Sequence, residues 1–323
     1  MHNIVLGRTG INVSRLAFGA GPIPQLMTDD DDGAQQRVVD CAVAAGVNWF
    51  DTAATYGDGS SERHLGVALE AHRSAVSIAT KVRLFPDQLN DVRGAVRASV
   101  EASLKRLRIS QLTLLQLHNS ITAKRGDQPT SLEPADVLGE VSDEFRRLQD
   151  EHLVRFVGLT GIGDADSLAQ TIDSGRFDTI QIPFNLANPS AGSAAPNGYS
   201  EADYGNVIAR CAEQRMGVLA IRVFAGGALL GLPPSPHTHK TKFFPIDLYR
   251  RDVTRGARLA ERLPADMTIR EAAVRFPLTH PHVHAAIVGF SDPTHVTGTV
   301  THARAGRLSS ELYERLLEES YGV

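Results

Sequence analysis

The chain is short of the features that commit a protein early to a class. It has two cysteines in 323 residues, Cys41 and Cys211, too few for the disulfide framework of a small secreted fold. Both lie in stretches of helical character, VVDCAVAA and VIARCAEQ, so they are expected as free buried thiols. No apolar run approaches the roughly 18 residues that span a bilayer, and no charged-then-apolar leader opens the sequence. A cytoplasmic setting is the expectation. Charge of one sign is also lacking. The formal net charge is -4, which offers no field for nucleic acid or for an acidic membrane surface. The expected partners are small molecules. The one charge run, Asp29 to Asp32, precedes a helical pattern beginning near Ala34. It is read as acid at a helix N-terminus, favoured by the macrodipole, rather than as a metal site.

What is present is the composition of an ordinary globular protein, 42% hydrophobic and 22% charged. The length permits two domains or one large barrel. From Arg15 onward short β-branched or apolar runs alternate with longer segments of helical period, the pattern of repeated βα units. Strands are predicted at 15–18, 47–51, 76–80, 112–117, 153–158, 178–183, 217–221 and 285–288. Helices are predicted at 34–45, 61–71, 91–107, 135–151, 165–174, 203–215, 266–279 and 309–320. In the third of these Val92, Val96, Val100 and Leu104 recur every four residues and make an apolar stripe. Eight strands alternating with helices predict a (β/α)8 TIM barrel, a single domain over 1–323, with an open doubly wound sheet as the alternative. Two short runs around GRTG within 3–14 predict an N-terminal β-hairpin that closes the barrel's bottom. The stretches 185–199 and 231–247, the latter with four prolines, are predicted as long loops, either functional lids or disordered.

Barrel chemistry sits at the C-terminal ends of strands. Those ends carry Asp51 after the second strand, Lys81 after the third and His118 after the fourth, and Tyr56 follows Asp51 in a Gly-rich loop. A phenol titrates at about 10, so it donates a proton near neutrality only if something favours the phenolate. An ammonium within about 4–6 Å does so. Lys81 is the candidate, and Asp51 is the counter-charge that keeps a buried lysine protonated. His118 is a candidate donor to a carbonyl oxygen. A lyase or aldolase using Lys81 as a Schiff base is a competing reading of the same residues. The histidines of PHTH (His237, His239) and HPHVH (His280, His282, His284) are read as solvated loop residues. No carboxylate or cysteine converges on them, so no metal is predicted.

The motifs NWFDTAATYG, IATKV and LLQLHN resemble, in order and spacing, those of the aldo-keto reductases, and the likeness continues through VRFVGLTGIG, TIQIPFN, GVLAIRVFAGGALLG and AAIVGFSDPTHV. The resemblance implies an NAD(P)-dependent enzyme that interconverts an aldehyde or ketone and an alcohol, with Asp51, Tyr56, Lys81 and His118 as catalytic residues and Tyr56 as general acid and base. It implies that Thr160 and Gln181 bond the nicotinamide carboxamide and that Gly19 and Ala20 border the ribose. It also implies that Ile221 covers the nicotinamide ring and that Val223 to Gly227, including Phe224, approaches the pyrophosphate. Arg222 is then a pyrophosphate contact or a substrate anchor. The site of the cofactor's 2′-phosphate would involve Gly289, Ser291 and His295.

The sequence departs from the family pattern at several of these positions. Gly161 stands where the family usually has asparagine. Gly289 and His295 stand where it has lysine and arginine, and Gly298 and Thr299 replace the pair expected at the adenine. Histidine is a poorer phosphate ligand than arginine, so use of NADP(H) or NAD(H), or both, is implied. RFVGLTG also resembles the sugar-oxidising aldose dehydrogenase branch, which implies a carbonyl or sugar substrate and an alcohol or lactone product. The substrate pocket is expected from loops 83–90, 119–130, 186–200 and 231–250, with Phe85, Asn119 and Tyr249 as candidate contacts. A cofactor-bound sensor or regulatory subunit with little turnover is the alternative function.

Overall fold

The first fourteen residues form an antiparallel pair, β1 (Asn3–Val5) and β2 (Asn12–Ser14), with Ile4 opposite Val13. The turn between them presses on the start of a barrel strand. A side chain on Gly7 would fall on the backbone of Met216 and Gly217, and the residue has φ +50, so glycine is required there. Leu6 and Val13 bury against Ala17, Trp49, Ala79, Leu114, Leu219 and Ala285. The hairpin therefore plugs the floor of the barrel, as the sequence predicts.

The computed structural model describes residues 1–29 and 32–322. Asp30 and Asp31 of the acidic run, and with them its reading as a helix cap, lie outside the described residues. Parallel strands β3 (Leu16–Gly19), β4 (Trp49–Asp51), β5 (Ser77–Val82), β6 (Leu112–Leu117), β7 (Val154–Thr160), β8 (Thr179–Pro183), β9 (Gly217–Ile221) and β10 (Ala285–Gly289) form a closed barrel in which β10 bonds both β9 and β3. All eight predicted strands are present and the open sheet is excluded.

The helices are α1 (Asp32–Ala44), α2 (Ser60–Ala68), α3 (Val92–Leu107), α4 (Pro134–Asp136), running through a π turn at Val137–Val141 into α5 (Ser142–Asp150), α6 (Ala165–Asp173), α7 (Val207–Glu213), α8 (Pro236–Lys240), α9 (Ile246–Ala260), α10 (Ile269–Thr279), α11 (Pro293–Arg304) and α12 (Ser310–Tyr321). In α3 the predicted stripe is real: Val92, Val96 and Val100 are buried, and the Asp91 side chain caps the start by accepting from Gly94 N.

Three helices escape the sequence reading for physical reasons. α11 (PTHVTGTVTHAR) is rich in threonine and valine and contains a glycine, a composition of low helix propensity. It forms because Asp292 caps it, Pro293 starts it, and Val296, Val300 and Ala303 bury against the barrel. α9 buries Asp252 and Arg255 beside Tyr249 and Leu259, which masks its apolar period. The short α8 sits inside the proline-rich stretch read as loop, with Pro236 at its first turn and Ser235 as its cap.

Side chains alternate across a strand, so residues two apart share a face. The floor residues Trp49, Ala79 and Leu114 are each followed two positions later by Asp51, Lys81 and Gln116, all buried. With Thr160 and Gln181, also buried, these make a polar layer above an apolar floor. A polar layer inside a core is costly unless its groups find partners. Its residues are those of the candidate site.

Candidate active site

Asp51 is the hub of the polar layer. One carboxylate oxygen accepts from Lys81 Nζ at 2.5 Å, and the other accepts from Gln116 Nε2 at 3.3 Å and from Gln181 Nε2. Lys81 Nζ also donates to the Thr52 carbonyl at 2.8 Å and to Tyr56 Oη at 3.5 Å, and lies 5.0 Å from the Tyr56 ring centre. Burial pushes the Asp51 carboxyl up against the pull of Lys81 and the two amides. The same burial pulls on Lys81 in the opposite sense, but Asp51 and Tyr56 outweigh it and hold the ammonium above the ordinary lysine value. Lys81 is therefore a cation fixed between a carboxylate and a phenol.

Tyr56 opens a tight turn, Tyr56–Gly59, between β4 and α2. The turn is pinned from both sides: Tyr56 N donates to Ala53 O at 3.1 Å, and Ser61 Oγ donates to Ala20 O at 2.6 Å. Glu62, buried in α2, accepts from Thr80 Oγ1 and, at 2.6 Å, from Arg106 Nε. These bonds tie the tyrosine loop to the strand that carries Lys81.

His118 follows β6, its ring 5.6 Å from that of Tyr56 and edge-on to it. Burial, with Arg83 and Lys81 nearby, holds its pKa well below the ordinary histidine value, so the imidazole is neutral. Its Nδ1 lies 3.4 Å from Thr55 Oγ1. A hydroxyl donating to Nδ1 leaves the ring proton on Nε2. The four residues singled out from the strand ends thus come together at one end of the barrel. A surface groove of about 450 Å³, lined by Arg8, Asp143, Arg146, Arg176 and Phe177, lies at the opposite end of the strands.

Several groups fit a dinucleotide. Thr160 Oγ1 is buried with no hydrogen-bond partner, an orphan suited to an amide. Gln181 spends its NH2 on Asp51, which leaves its carbonyl oxygen as the group it can offer a ligand. A side chain on Gly161 would meet the Cδ1 methyls of Ile180 at 2.9 Å and Ile182 at 3.1 Å, so the asparagine of the family pattern would need both isoleucines to move aside. Gly19 ends β3, the buried Ala20 follows it, and Ala20 N donates to Asp51 O at 2.7 Å.

Ile221 ends β9, and Arg222 follows it with φ +57. The Arg222 guanidinium stacks 3.6 Å from the centre of the Phe244 ring, and no carboxylate pairs with it among the described residues. Phe224 stacks on His295 at 6.3 Å. His295 Nε2 accepts from Arg270 Nη1 at 3.1 Å, and its Nδ1 lies 3.4 Å from Ser291 Oγ. Burial and Arg270 hold His295 below its ordinary value. An orphan hydroxyl, an unpaired guanidinium and a basic corner therefore line one path across the strand ends.

Three candidates are placed differently from their sequence reading. A side chain on Gly289 would fall on the Ile23 carbonyl and lie 2.7 Å from Pro24, so the loop after β3 covers the side from which a lysine would reach a cofactor. Asn119 is spent as a loop staple: its side chain accepts from Leu84 N at 2.9 Å and donates to Leu84 O at 2.8 Å and Thr130 O at 2.6 Å. Tyr249 is buried in α9 and donates to Leu232 O at 2.8 Å. Phe85 is 42% exposed at the rim and remains available as an apolar contact.

The solvated-loop reading holds for the exposed His282 but is corrected for His280 and His284. His280 bonds Gly192 O at 3.2 Å and His284 accepts from Val218 N at 3.0 Å. Burial lowers both to about 4. Four site residues go unread in the sequence: Gln116, Thr55, Arg270 and Arg83. Gln116 and Arg83 carry a signal, each lying two positions from a chosen residue and so on the same face of its strand.

Comparison with known proteins agrees with this geometry. The sequence model described as the aldo/keto reductase family matches residues 15–319. The L-galactose dehydrogenase of Arabidopsis thaliana is 25% identical over 301 residues, 91% of this chain and 86% of its own. The D-threo-aldose 1-dehydrogenase of a Pseudomonas species is 26% identical over 338 residues, 96% and 94%. Among solved structures, the holo form of an aldo-keto reductase from Bacillus halodurans has a TM-score of 0.75 at 21% identity, over 99% of this chain and 96% of that one. An aldo-keto reductase from Klebsiella pneumoniae in complex with NADPH has a TM-score of 0.71 at 20% identity over the same shares. Likeness to solved structures at such identity speaks for the fold.

Proposed function

Because the chain belongs to the aldo/keto reductase family, and is thereby an NAD(P)-dependent oxidoreductase acting on carbonyl compounds, we propose that it interconverts a sugar or related carbonyl compound and the alcohol or lactone, with Tyr56 as the general acid and base. The dinucleotide, when bound, supplies or takes the hydride. The names of two relatives, both sugar dehydrogenases, support the substrate class.

The observation that carries the reading is the Lys81 ammonium, 2.5 Å from Asp51 and 3.5 Å from Tyr56 Oη. In the reductive direction Tyr56 gives its proton to the substrate oxygen, and the adjacent cation stabilises the phenolate left behind. Asp51 keeps that cation charged in a buried place. His118 is neutral, and in the tautomer that carries its proton on Nε2 it donates to the same oxygen and holds it in line with Tyr56. In the oxidative direction the tyrosine takes the proton back. A Schiff-base role for Lys81 needs a free amine, and the ion pair with Asp51 opposes one.

On the cofactor side, Thr160 and Gln181 hold the carboxamide, Ile221 covers the ring, and Arg222 and Phe224 face the pyrophosphate. Ser291 and His295 lie at the far end. There Asp292 already occupies the N-terminus of α11, accepting from Thr294 Oγ1 and, at 2.9 Å, from His295 N. A carboxylate in that seat opposes a 2′-phosphate, while Arg270 beside it attracts one. The two offset each other, and NAD and NADP are used with comparable efficiency. A reducing cytoplasm suits the two free thiols, Cys41 and Cys211.

The deciding experiment is steady-state turnover of NAD(P)H or NAD(P) with a panel of aldehydes and aldoses, comparing the native chain with Tyr56→Phe. A fall in kcat of about 10²–10⁴-fold with dinucleotide affinity retained is expected. An undiminished rate in the variant refutes the mechanism.

A further inference from the structure

Of the buried or half-buried arginines, Arg8, Arg97, Arg106, Arg255 and Arg275 pair with a carboxylate, whereas among the described residues Arg15, Arg73, Arg83, Arg222, Arg258 and Arg270 have none. Arg255 lies 2.6 Å from Glu201 and 3.0 Å from Asp252, Arg106 is 2.6 Å from Glu62, and Arg275 is 2.6 Å from Glu271. Arg15 has no carboxylate but donates to the Val283 and His284 carbonyls at 2.6 and 3.2 Å. Arg83 differs. Among the described residues its Nε is the one arginine nitrogen buried without a partner, and its single hydrogen bond there, from Nη2 to the His118 carbonyl, is 3.4 Å long. No carboxylate pairs with it among the described residues. Leaving a half-buried guanidinium so poorly satisfied is costly unless something else completes it.

The place of Arg83 says what that something is. It lies two residues beyond Lys81 on the continuation of β5, so it projects from the same face one pleat higher, at the mouth of the barrel. Its bond to the His118 backbone sets it beside the imidazole that holds the reacting oxygen. Phe243 stands 6.0 Å from the guanidinium and Phe244, the next residue, covers Arg222. The pair of aromatics shields two cations, and chain geometry divides their roles. Arg222 adjoins the turn at Gly226, a Cβ on which would lie 3.8 Å from its guanidinium. Arg83 adjoins Tyr56 and His118, on the substrate side.

We propose that Arg83 is a substrate-binding residue that pairs with a carboxylate carried a few atoms from the reacting carbon, so that the substrates handled best are acidic carbonyl compounds such as sugar acids. The inference rests on the reductase reading given above and narrows its substrate class. A planar guanidinium accepts a carboxylate through two parallel N–H···O bonds, and Arg83 has the donors free to make them. The partly apolar surround of Phe243 strengthens such a pair by excluding water. Burial already works against the charge on Arg83, Tyr56 favours it only in part, and a bound carboxylate relieves that opposition.

The test compares kcat/KM for an aldose, the matched uronate, and the matched sugar phosphate, using the full chain saturated with dinucleotide. The native protein is expected to favour the uronate over the neutral sugar by about 30–100-fold. In Arg83→Met that ratio collapses to within a few fold of one, chiefly through KM for the uronate, and Arg83→Lys retains part of it because a point charge replaces the fork. A purely structural role moves both substrates together and leaves the ratio where it was, which overturns the proposal. A native ratio near one, or a phosphate preferred to the uronate, also overturns it. Should Arg83→Met fail to fold, the ratio in Arg83→Lys decides: a value equal to that of the native protein is evidence against the fork. Tyr56-dependent turnover of neutral sugars without acid preference sinks this inference alone, whereas turnover of nothing in the panel sinks the reductase reading itself.

Discussion

Replacing Asp51 with asparagine removes the counter-charge of Lys81 while keeping the size and shape of the side chain. In the native protein Lys81 is buried, 2.5 Å from the carboxylate, and held above its ordinary value. A group whose folded value is raised contributes stability that is complete below the unfolded value and is lost only as pH climbs through the folded one. Across neutral pH its contribution is therefore flat.

In the variant the sign reverses. Burial, the largest influence on Lys81, acts without the carboxylate and pulls the folded value below the unfolded one. The unfolded chain then binds a proton that the folded chain rejects, and stability rises with pH at up to about 1.4 kcal/mol per unit between the two values. Breaking one partner out of a buried pair costs about 3–5 kcal/mol at the low-pH end. Gln116 softens this, because its orphaned Oε1 can turn to accept from the new amide. Urea unfolding of native and variant protein at several pH values between 6 and 9, with the difference plotted against pH, reads the slope directly. Turnover measured alongside should fall by about 10²-fold, since a neutral amine no longer favours the phenolate. A pH-independent stability difference, with turnover intact, refutes the electrostatic arrangement.

Thr160→Val deletes the orphaned buried hydroxyl and keeps the shape. The apo protein should be as stable as the native or about 1 kcal/mol more so, while dinucleotide binding weakens by about five- to tenfold; calorimetric melting and fluorescence titration report the two, and unchanged affinity refutes the carboxamide assignment. Asp292→Asn keeps the cap of α11 but removes its charge, so the ratio of NADP to NAD efficiency should rise about fivefold, less at high salt, and a ratio that does not move counts against the shared anion seat. Because His118 is held well below the ordinary histidine value by burial, Arg83 and Lys81, the kcat profile should show no inflection near the ordinary histidine value, and one abolished by His118→Gln would contradict a neutral imidazole.

The barrel was legible because its signals are periodic. Strands of three to seven residues alternate with amphipathic helices, and the strand ends fall in an order that delivers Asp51, Lys81 and His118 to one rim. What escaped is decided by tertiary contacts. Nothing in PTHVTGTVTHAR favours a helix until Asp292 caps it and Val296 and Val300 find a buried surface. Asn119 looked available beside His118, yet only the fold brings Leu84 and Thr130 to its amide. Gly289 stood where a family lysine would, and the covering Ile23 lies far from it in sequence.

The residues that pleating alone could have supplied make a different case. Period two along β5 places Arg83 over Lys81 just as surely as period two along β6 places Gln116 under His118. A strand read only to its last apolar residue stops short of both consequences. Carried one step further, the alternation stacks an apolar floor, a polar layer that fixes one lysine, and a rim that holds the imidazole and a poorly satisfied guanidinium. The floor is apolar and buried, and the middle layer holds the lysine on which the proposed proton chemistry rests. Only the rim faces the variable part of a substrate, so a cation placed there acts on which molecule is chosen, with the reaction beneath it unchanged.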